Sequence, residues 1–413
     1  MRQSMSWDIA LVPHTGTESS DVQVIRAQEA VRAAPDPRPQ LERLGWMFVA
    51  KARASHDTGF YKLAEQCALA LLGHDKKNLG ALLLNGHVAQ SLHRFKDAEL
   101  IARQLVAERE LAFDHGLLGD ALADQGKLAE AAVAYQRMVE LRPELQSYSR
   151  VAHVRWLRGD LPGAIEVATL AARAGSPQQP EPSAWAFTRL ATFHAQAGNR
   201  EQAEAACISA SGFLADYSPA LLLQGRVRLA AGQSSEAVNL LRRAAARNPL
   251  PEYQWALADA LRAAGLPRDA EIVEAELERT GPANDPRTLA LFYATRGKQA
   301  ELAVRLANAE LKERTDVFTH DAIAWTQTAA GRHAEAWISM ERALAEGTQD
   351  ARLFLHAAVI ATRLGRADAS GWVDRARTLE LLLLPSEREH LFNAVRSLSQ
   401  KVAATEAARD LQR

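Results

Sequence analysis

The sequence predicts an all-α protein, a right-handed superhelical solenoid of about ten antiparallel helix pairs. Three observations lead there. A short phrase recurs with a period near 34 residues, Ala, Leu, Arg, Glu and Gln are favoured over strand-forming residues, and prolines close several of the repeating units.

The phrase is a helical stretch, a Gly followed by one or two polar residues, then an Ala five residues after the Gly. Its instances are Gly59 with Ala64, Gly126 with Ala131, Gly159 with Ala164, Gly198 with Ala203, Gly232 with Ala237, Gly265 with Ala270, and Gly331 with Ala336. His93 with Ala98, Gly297 with Leu302 and Gly365 with Ser370 are looser copies. Successive turn residues from position 59 are 34, 33, 33, 39, 34, 33, 32, 34 and 34 apart. Gly at the turn takes a left-handed conformation that ends one helix and lets the next begin. The Ala must be small because the second helix lies close against the first there. A larger side chain nine residues after the turn, such as Tyr135, Leu241 or Met340, fills the adjoining space. Pro143, Pro177, Pro219 and Pro249 then stop a unit.

Residues 117–143, LLGDALADQGKLAEAAVAYQRMVELRP, resemble a tetratricopeptide repeat almost throughout, at Gly119, Gly126, Ala131, Tyr135 and Pro143. The unit carrying Gly225, Gly232, Ala237, Ala244 and Pro249 is similar to the family nearly as well. The resemblance covers roughly residues 42–380. It departs from the pattern at QQPEP, residues 178–182, which lengthens one loop, and around Gly297, where the small residue and closing proline are missing. Three segments follow: a 1–41 extension with a short helix (SSDVQVIRAQEAVRAA) before a stiff PDPRP stretch, the repeats over 42–380, and a C-terminal helix within 381–413. That helix aligns Leu391, Val395 and Leu398 on one face, suited to capping the apolar edge of the last repeat. Docking of a partner there is the alternative.

Length alone does not separate several globules from one solenoid, because each repeat contacts mainly its neighbours. The 413 residues are 47% hydrophobic and 24% charged, with a formal net charge of −1. Such a balance offers no concentrated basic surface for nucleic acid or an anionic membrane. Cys67 and Cys207 are too few for a disulfide framework or metal cluster and read as small buried residues. The opening MRQSMSWDIALVPHTG lacks the long apolar run of a signal peptide, and no run is long enough to cross a bilayer. A cytoplasmic protein is expected, or an exported one if a leader is missing from the sequence.

The resemblance implies that first helices line a concave binding face. Counting back 13, 10, 6 and 3 residues from each turn stays on one side of a first helix. The aromatic residues there are Trp46, Phe113, Trp156, Trp185, Trp255, Phe318 and Trp325. The polar ones include Arg53, His87, Asp120, His153, Arg226, Asp259, Arg262 and Asp321, of mixed sign. These are the candidate partner-binding residues, with Trp185, Trp255 and Trp325 as anchors; the same rings could instead be core between adjacent helices. Two modes of the family are disfavoured. A carboxylate-clamp pattern meets Val49 and Arg53 where Lys and Asn are wanted, and an asparagine ladder finds only Asn284 on the groove.

No dinucleotide fingerprint, Walker loop, HExxH, GxSxG or CxxC occurs, and His87 and His93 fall on different helix faces. The expected function is therefore a scaffold that binds another protein or an extended peptide, with no catalytic residue, metal or cofactor. The alternative is a structural or assembly role through self-association, the convex surface or the termini.

Overall fold

The computed structural model describes residues 8 to 410, with side-chain surroundings for residues 8 to 400. Among them the regular elements are α-helices and two short 3-10 helices, with no strand. The helix-forming bias thus meets no competing sheet. The chain divides into two compact units, one ending at Pro143 and the other starting at Glu144.

The first unit opens with α1 (Ser19–Ala33), followed by the hairpins α2 (Arg38–Ser55) with α3 (Gly59–His74), α4 (Leu79–Ser91) with α5 (Phe95–Glu108), and α6 (Ala112–Asp124) with α7 (Leu128–Leu141). Each helix packs on its hairpin partner, and the first helices α2, α4 and α6 lie side by side. The helix α1 lies on α2, and Val24 and Val31 join Leu41, Leu44 and Phe48 in one core. The Gln28 amide, itself buried, donates to the carbonyls of Ala10 and Val12 at 2.9 and 2.8 Å. The preceding 3-10 turn (Asp8–Leu11) and its exit are thereby tied down.

The second unit holds α8 (Leu145–Leu157) with α9 (Leu161–Arg173), α10 (Pro180–Gln196) with α11 (Arg200–Phe213), and α12 (Ser218–Ala230) with α13 (Ser234–Arg247). There follow α14 (Pro251–Ala263) with α15 (Pro267–Asn284), α16 (Pro286–Arg296) with α17 (Ala300–Glu310), α18 (Val317–Ala329) with α19 (His333–Leu344), and α20 (Ala351–Leu364) with α21 (Ala369–Thr378). The last helix is α22 (Pro385–Asp410). Again the first helices, even-numbered from α8 to α20, contact one another in sequence.

The turn chemistry explains the hairpins. Gly126, Gly159, Gly198, Gly232, Gly265, Gly297, Gly331 and Gly365 all have φ between 62° and 81°, and His93 takes φ 60°. The first turn differs from its expectation: Gly59 begins α3, and His56, with φ 56°, supplies the left-handed residue that ends α2. Ala64, Ala98, Ala131, Ala164, Ala237, Ala270 and Ala336 are fully buried between hairpin partners. In the two loosest units the small residue has moved by one position. Gln299 adds a left-handed residue after Gly297, so Ala303 rather than Leu302 is fully buried. After Gly365, the first residue of α21, Ala369, is buried where exposed Ser370 was expected to be.

The second unit curls until its two ends meet. The Trp156 indole donates to the carbonyl of Gln349 at 2.9 Å, the Gln349 amide donates to Gly159 O at 3.3 Å, and Thr348 donates to Leu157 O. The Gln196 amide donates to Asp350 at 2.7 Å and its oxygen accepts from the Ala351 N–H at 3.2 Å. A Cβ at Gly159 would lie 2.9 Å from the carbonyl oxygen of Gly347, so the two backbones abut where only glycine fits. The first helices of this unit therefore ring a shared interior.

Candidate functional site

That interior is where most of the counted residues go. The segment from Leu382 to His390, leading into and beginning α22, enters it and contacts α14, α16 and α20. Asp259 on α14 accepts from the backbone N–H of Ser386 at 2.9 Å and from its hydroxyl at 2.7 Å. An acidic side chain thus satisfies an orphan donor in the first turn of α22, a helix-capping task supplied from 127 residues away. The Trp255 indole donates to the same Ser386 hydroxyl at 3.3 Å.

One residue on, Glu387 is 1% exposed. It accepts from Arg352, lies 3.7 Å from Arg226, and also accepts from its own Leu384 N–H at 2.7 Å. Burial by itself would raise this carboxyl, but Arg352 and Arg226 more than offset it and hold it below the usual glutamate range. Glu252 lies 3.1 Å from Arg226 and 3.6 Å from Arg352, so two arginines share two carboxylates, and Arg352 also lies over the Trp255 ring at 5.0 Å. His390 bonds to the carbonyl of Thr295 at 2.8 Å and stands edge-on to the Trp325 ring at 5.1 Å. Trp325 in turn stacks on His356 at 4.2 Å, and His356 pairs with Asp321 at 2.7 Å. Asp259 carries the opposite perturbation: burial raises its carboxyl, with Arg296 only partly countering.

Five of the candidates, Arg226, Trp255, Asp259, Asp321 and Trp325, are thus brought together by the chain's own C-terminal segment. Trp255 and Trp325 are 1% and 2% exposed and present no open ring, so as anchors for a second molecule they are corrected to interior residues: the indoles are spent on Ser386 and Thr295. Trp156, 4% exposed, is likewise interior. Arg262 points elsewhere, to Glu274 at 2.8 Å.

Beside the docked segment lies a cavity of about 490 Å³, lined in part by His153, Trp185, Arg189, Phe318 and Arg352. Trp185 and Phe318 are half-buried there. In the first unit, Trp46 leans on His87 at 5.5 Å, Asp120 accepts the Tyr135 hydroxyl at 2.8 Å, Phe113 is exposed beneath Arg142 at 5.3 Å, and Arg53 is exposed on α2. These five belong to the first compact unit.

Arg352 lies thirteen residues before Gly365, on the counted face, and so was within reach of the sequence. Arg189 lies nine before Gly198, one turn from Trp185, and the counting steps passed over it. Ser386, Glu387 and His390 carried no signal, because a periodicity within repeats does not say where a terminal helix docks.

Among the described residues, no group of three or more His, Cys, Asp or Glu could hold a metal, and no helix is long and apolar enough to cross a membrane.

No family model and no curated protein sequence matches the chain. Among solved structures it is similar to the APC/C hetero-tetramer Cut9–Hcn1, at 17% identity over 84% of this chain and 64% of that one, with a TM-score of 0.44. It is also similar to yeast Tom70, at 13% identity over 95% of each chain and a TM-score of 0.38. A third is YrrB, a TPR protein with an unusual peptide-binding site, at 19% identity over 48% of this chain and 97% of that one and a TM-score of 0.29. The chain spans about 64% of the length of the first of these. The helix pairs themselves, with their left-handed turns and buried alanines at a 34-residue period, decide the fold. It is a tetratricopeptide-like repeat fold. In such a fold the tetratricopeptide-like first helices supply the inner face, and here that face is divided between the docked C-terminal segment and the open cavity.

Proposed function

We propose that the chain is a non-catalytic protein-binding scaffold, and that the inner face of its second unit receives an extended peptide or helix from a partner. The observation that carries this reading is the docked start of α22: the face already holds a helix by a cap on its first turn, an arginine-held carboxylate and an edge-on aromatic contact. Chemistry that suits one peptide segment suits another of similar character. The half-buried Trp185 and Phe318 give the open part of the face rigid apolar surface at low entropic cost.

The test is site-specific photo-crosslinking of the intact chain in native extract, with the crosslinker at Leu223 on the cavity wall or at exposed Ile272 on the outer helix α15. One partner captured from Leu223 and not from Ile272 is the expected result. Capture from Ile272 alone would sink the reading.

A second reading, self-association through outer helices, is favoured by Leu100 and Val133. They occupy equivalent positions on α5 and α7 of the first unit and are 73% and 72% exposed. A mass that stays monomeric as concentration rises would remove it.

A further inference from the structure

The charged groups around the cavity are almost all matched. Arg226 and Arg352 share Glu252 and Glu387. Arg287 has Asp316 at 3.3 Å, and Asp321 has His356. Asp350 caps the start of α20 and accepts from Gln196. Arg189 is the exception.

Its guanidinium donates to His153 Nδ1 at 2.9 Å and lies over the rings of Trp156 and Phe193 at 5.5 and 5.0 Å, but no carboxylate among the described residues pairs with it. Burial without a counter-charge pulls Arg189 down to about 10 and, together with the adjacent guanidinium, His153 down to about 3. His153 therefore stays neutral at physiological pH and gives Arg189 an acceptor but no charge. The residue is half-buried rather than sealed, and it faces a cavity large enough for one or two side chains. A cation held over two aromatic faces on the wall of a cavity, with no counter-charge beside it, is prepared for a planar anion.

We propose that the cavity binds the carboxylate of an aspartate or glutamate side chain on a partner peptide, received by Arg189 and flanked by Trp185 and Phe318. This rests on the peptide-binding reading above. The charge complement has a precedent on the same face, where Arg352 and Arg226 hold the Glu387 carboxylate of a helix that starts inside the interior. Among the described arginines that line the cavity, Arg189 is the one left without such a partner.

The experiment selects short random displayed peptides on the immobilised intact chain and measures the recovered sequences as fluorescent synthetic peptides by anisotropy. The expected result is an acidic residue at one fixed position, whose replacement by its amide weakens binding to the native chain by about tenfold or more. Against Arg189→Gln the acid and the amide should bind equally weakly, and Arg189→Lys should recover part of the preference, as a point charge lacks the bidentate fork. The peptide substitution needs no change in the protein, so it reads out even where Arg189→Gln unfolds. Recovered peptides without a fixed acid, or an acid-to-amide effect undiminished in a folded Arg189→Gln chain, would overturn the assignment and leave the peptide-binding reading intact. Phosphoserine at that position binding about tenfold tighter than the acid would reassign the site to phosphate and overturn the carboxylate. Failure to recover any peptide would overturn both.

Discussion

Ser386 gives both its backbone N–H and its hydroxyl to one carboxylate oxygen of Asp259, at 2.9 and 2.7 Å, so a residue on α14 acts as the cap of α22. The other Asp259 oxygen takes Arg296. Replacing Asp259 with Ala removes the cap and leaves the partly buried Arg296 guanidinium with Glu274 as its remaining carboxylate. The expected outcome is release of the start of α22, with a stability loss of about 1–3 kcal/mol from the unsatisfied donors. Hydrogen exchange of residues 386–398 is the measurement; unchanged protection there would show that the helix is held by its apolar contacts instead.

Glu387 makes the docking sensitive to acid. Its carboxyl is held below the ordinary glutamate value of 4.5 in the folded chain. A depressed acid contributes stability that is fully present above the unfolded value and is lost as pH falls through the folded one. Docking of α22 should therefore be constant near neutrality and weaken progressively below about pH 4.5. Asp259 has the opposite sign, because its raised carboxyl is easier to protonate when folded, so it opposes this acid loss. Glu387→Gln should flatten the acid limb seen in hydrogen exchange of α22. An unchanged limb would assign the acid sensitivity to another group.

The repeat frame was legible because it is local: a turn glycine, a small residue after it and a large one nine on are each dictated by two helices in contact, and Gly126, Ala131 and Tyr135 behave as that contact requires. Exposure was not legible. Trp185 and Trp255 both fall on the counted face, thirteen and ten residues before their turns, yet one lines a cavity and the other is covered by Ser386, because the covering segment comes from 131 residues away. The closure of the second unit at Gly159 and Gly347 is a further long-range event that no repeat position announces.

Trp255→Ala and Trp185→Ala should consequently separate. Trp255 is fully enclosed, so its truncation should cost about 3–5 kcal/mol and lower the melting temperature clearly. Trp185 is half-buried at the cavity, so its truncation should affect peptide binding more than melting. Thermal unfolding of the two variants is the comparison. A Trp255→Ala chain that melts with the native one would contradict its role as core.

Cys67 and Cys207 are buried, and burial raises both thiols to about 12, aided at Cys207 by Glu204. Thiolate, the reacting form, is then scarce at neutral pH. Maleimide labelling should be slow in the native protein and rapid in denaturant. Fast native labelling of either residue would mean that its hairpin opens readily.

Gly225 tests whether close approach, rather than backbone freedom, explains a helical glycine. It lies within α12, and a Cβ there would come 2.5 Å from Leu241 Cγ on α13. Overpacking of this kind costs about 1–3 kcal/mol when the neighbour is held on all sides, as fully buried Leu241 is. Gly225→Ala should therefore lower stability although alanine is the better helix former. If Leu241 is the obstacle, the same substitution in a Leu241→Ala background should cost less or even stabilise, because the truncated neighbour leaves room and only the helix preference remains. Chemical denaturation of the four chains gives the coupling directly. Equal costs in both backgrounds would mean that Gly225 is required by something other than the packing of α12 on α13.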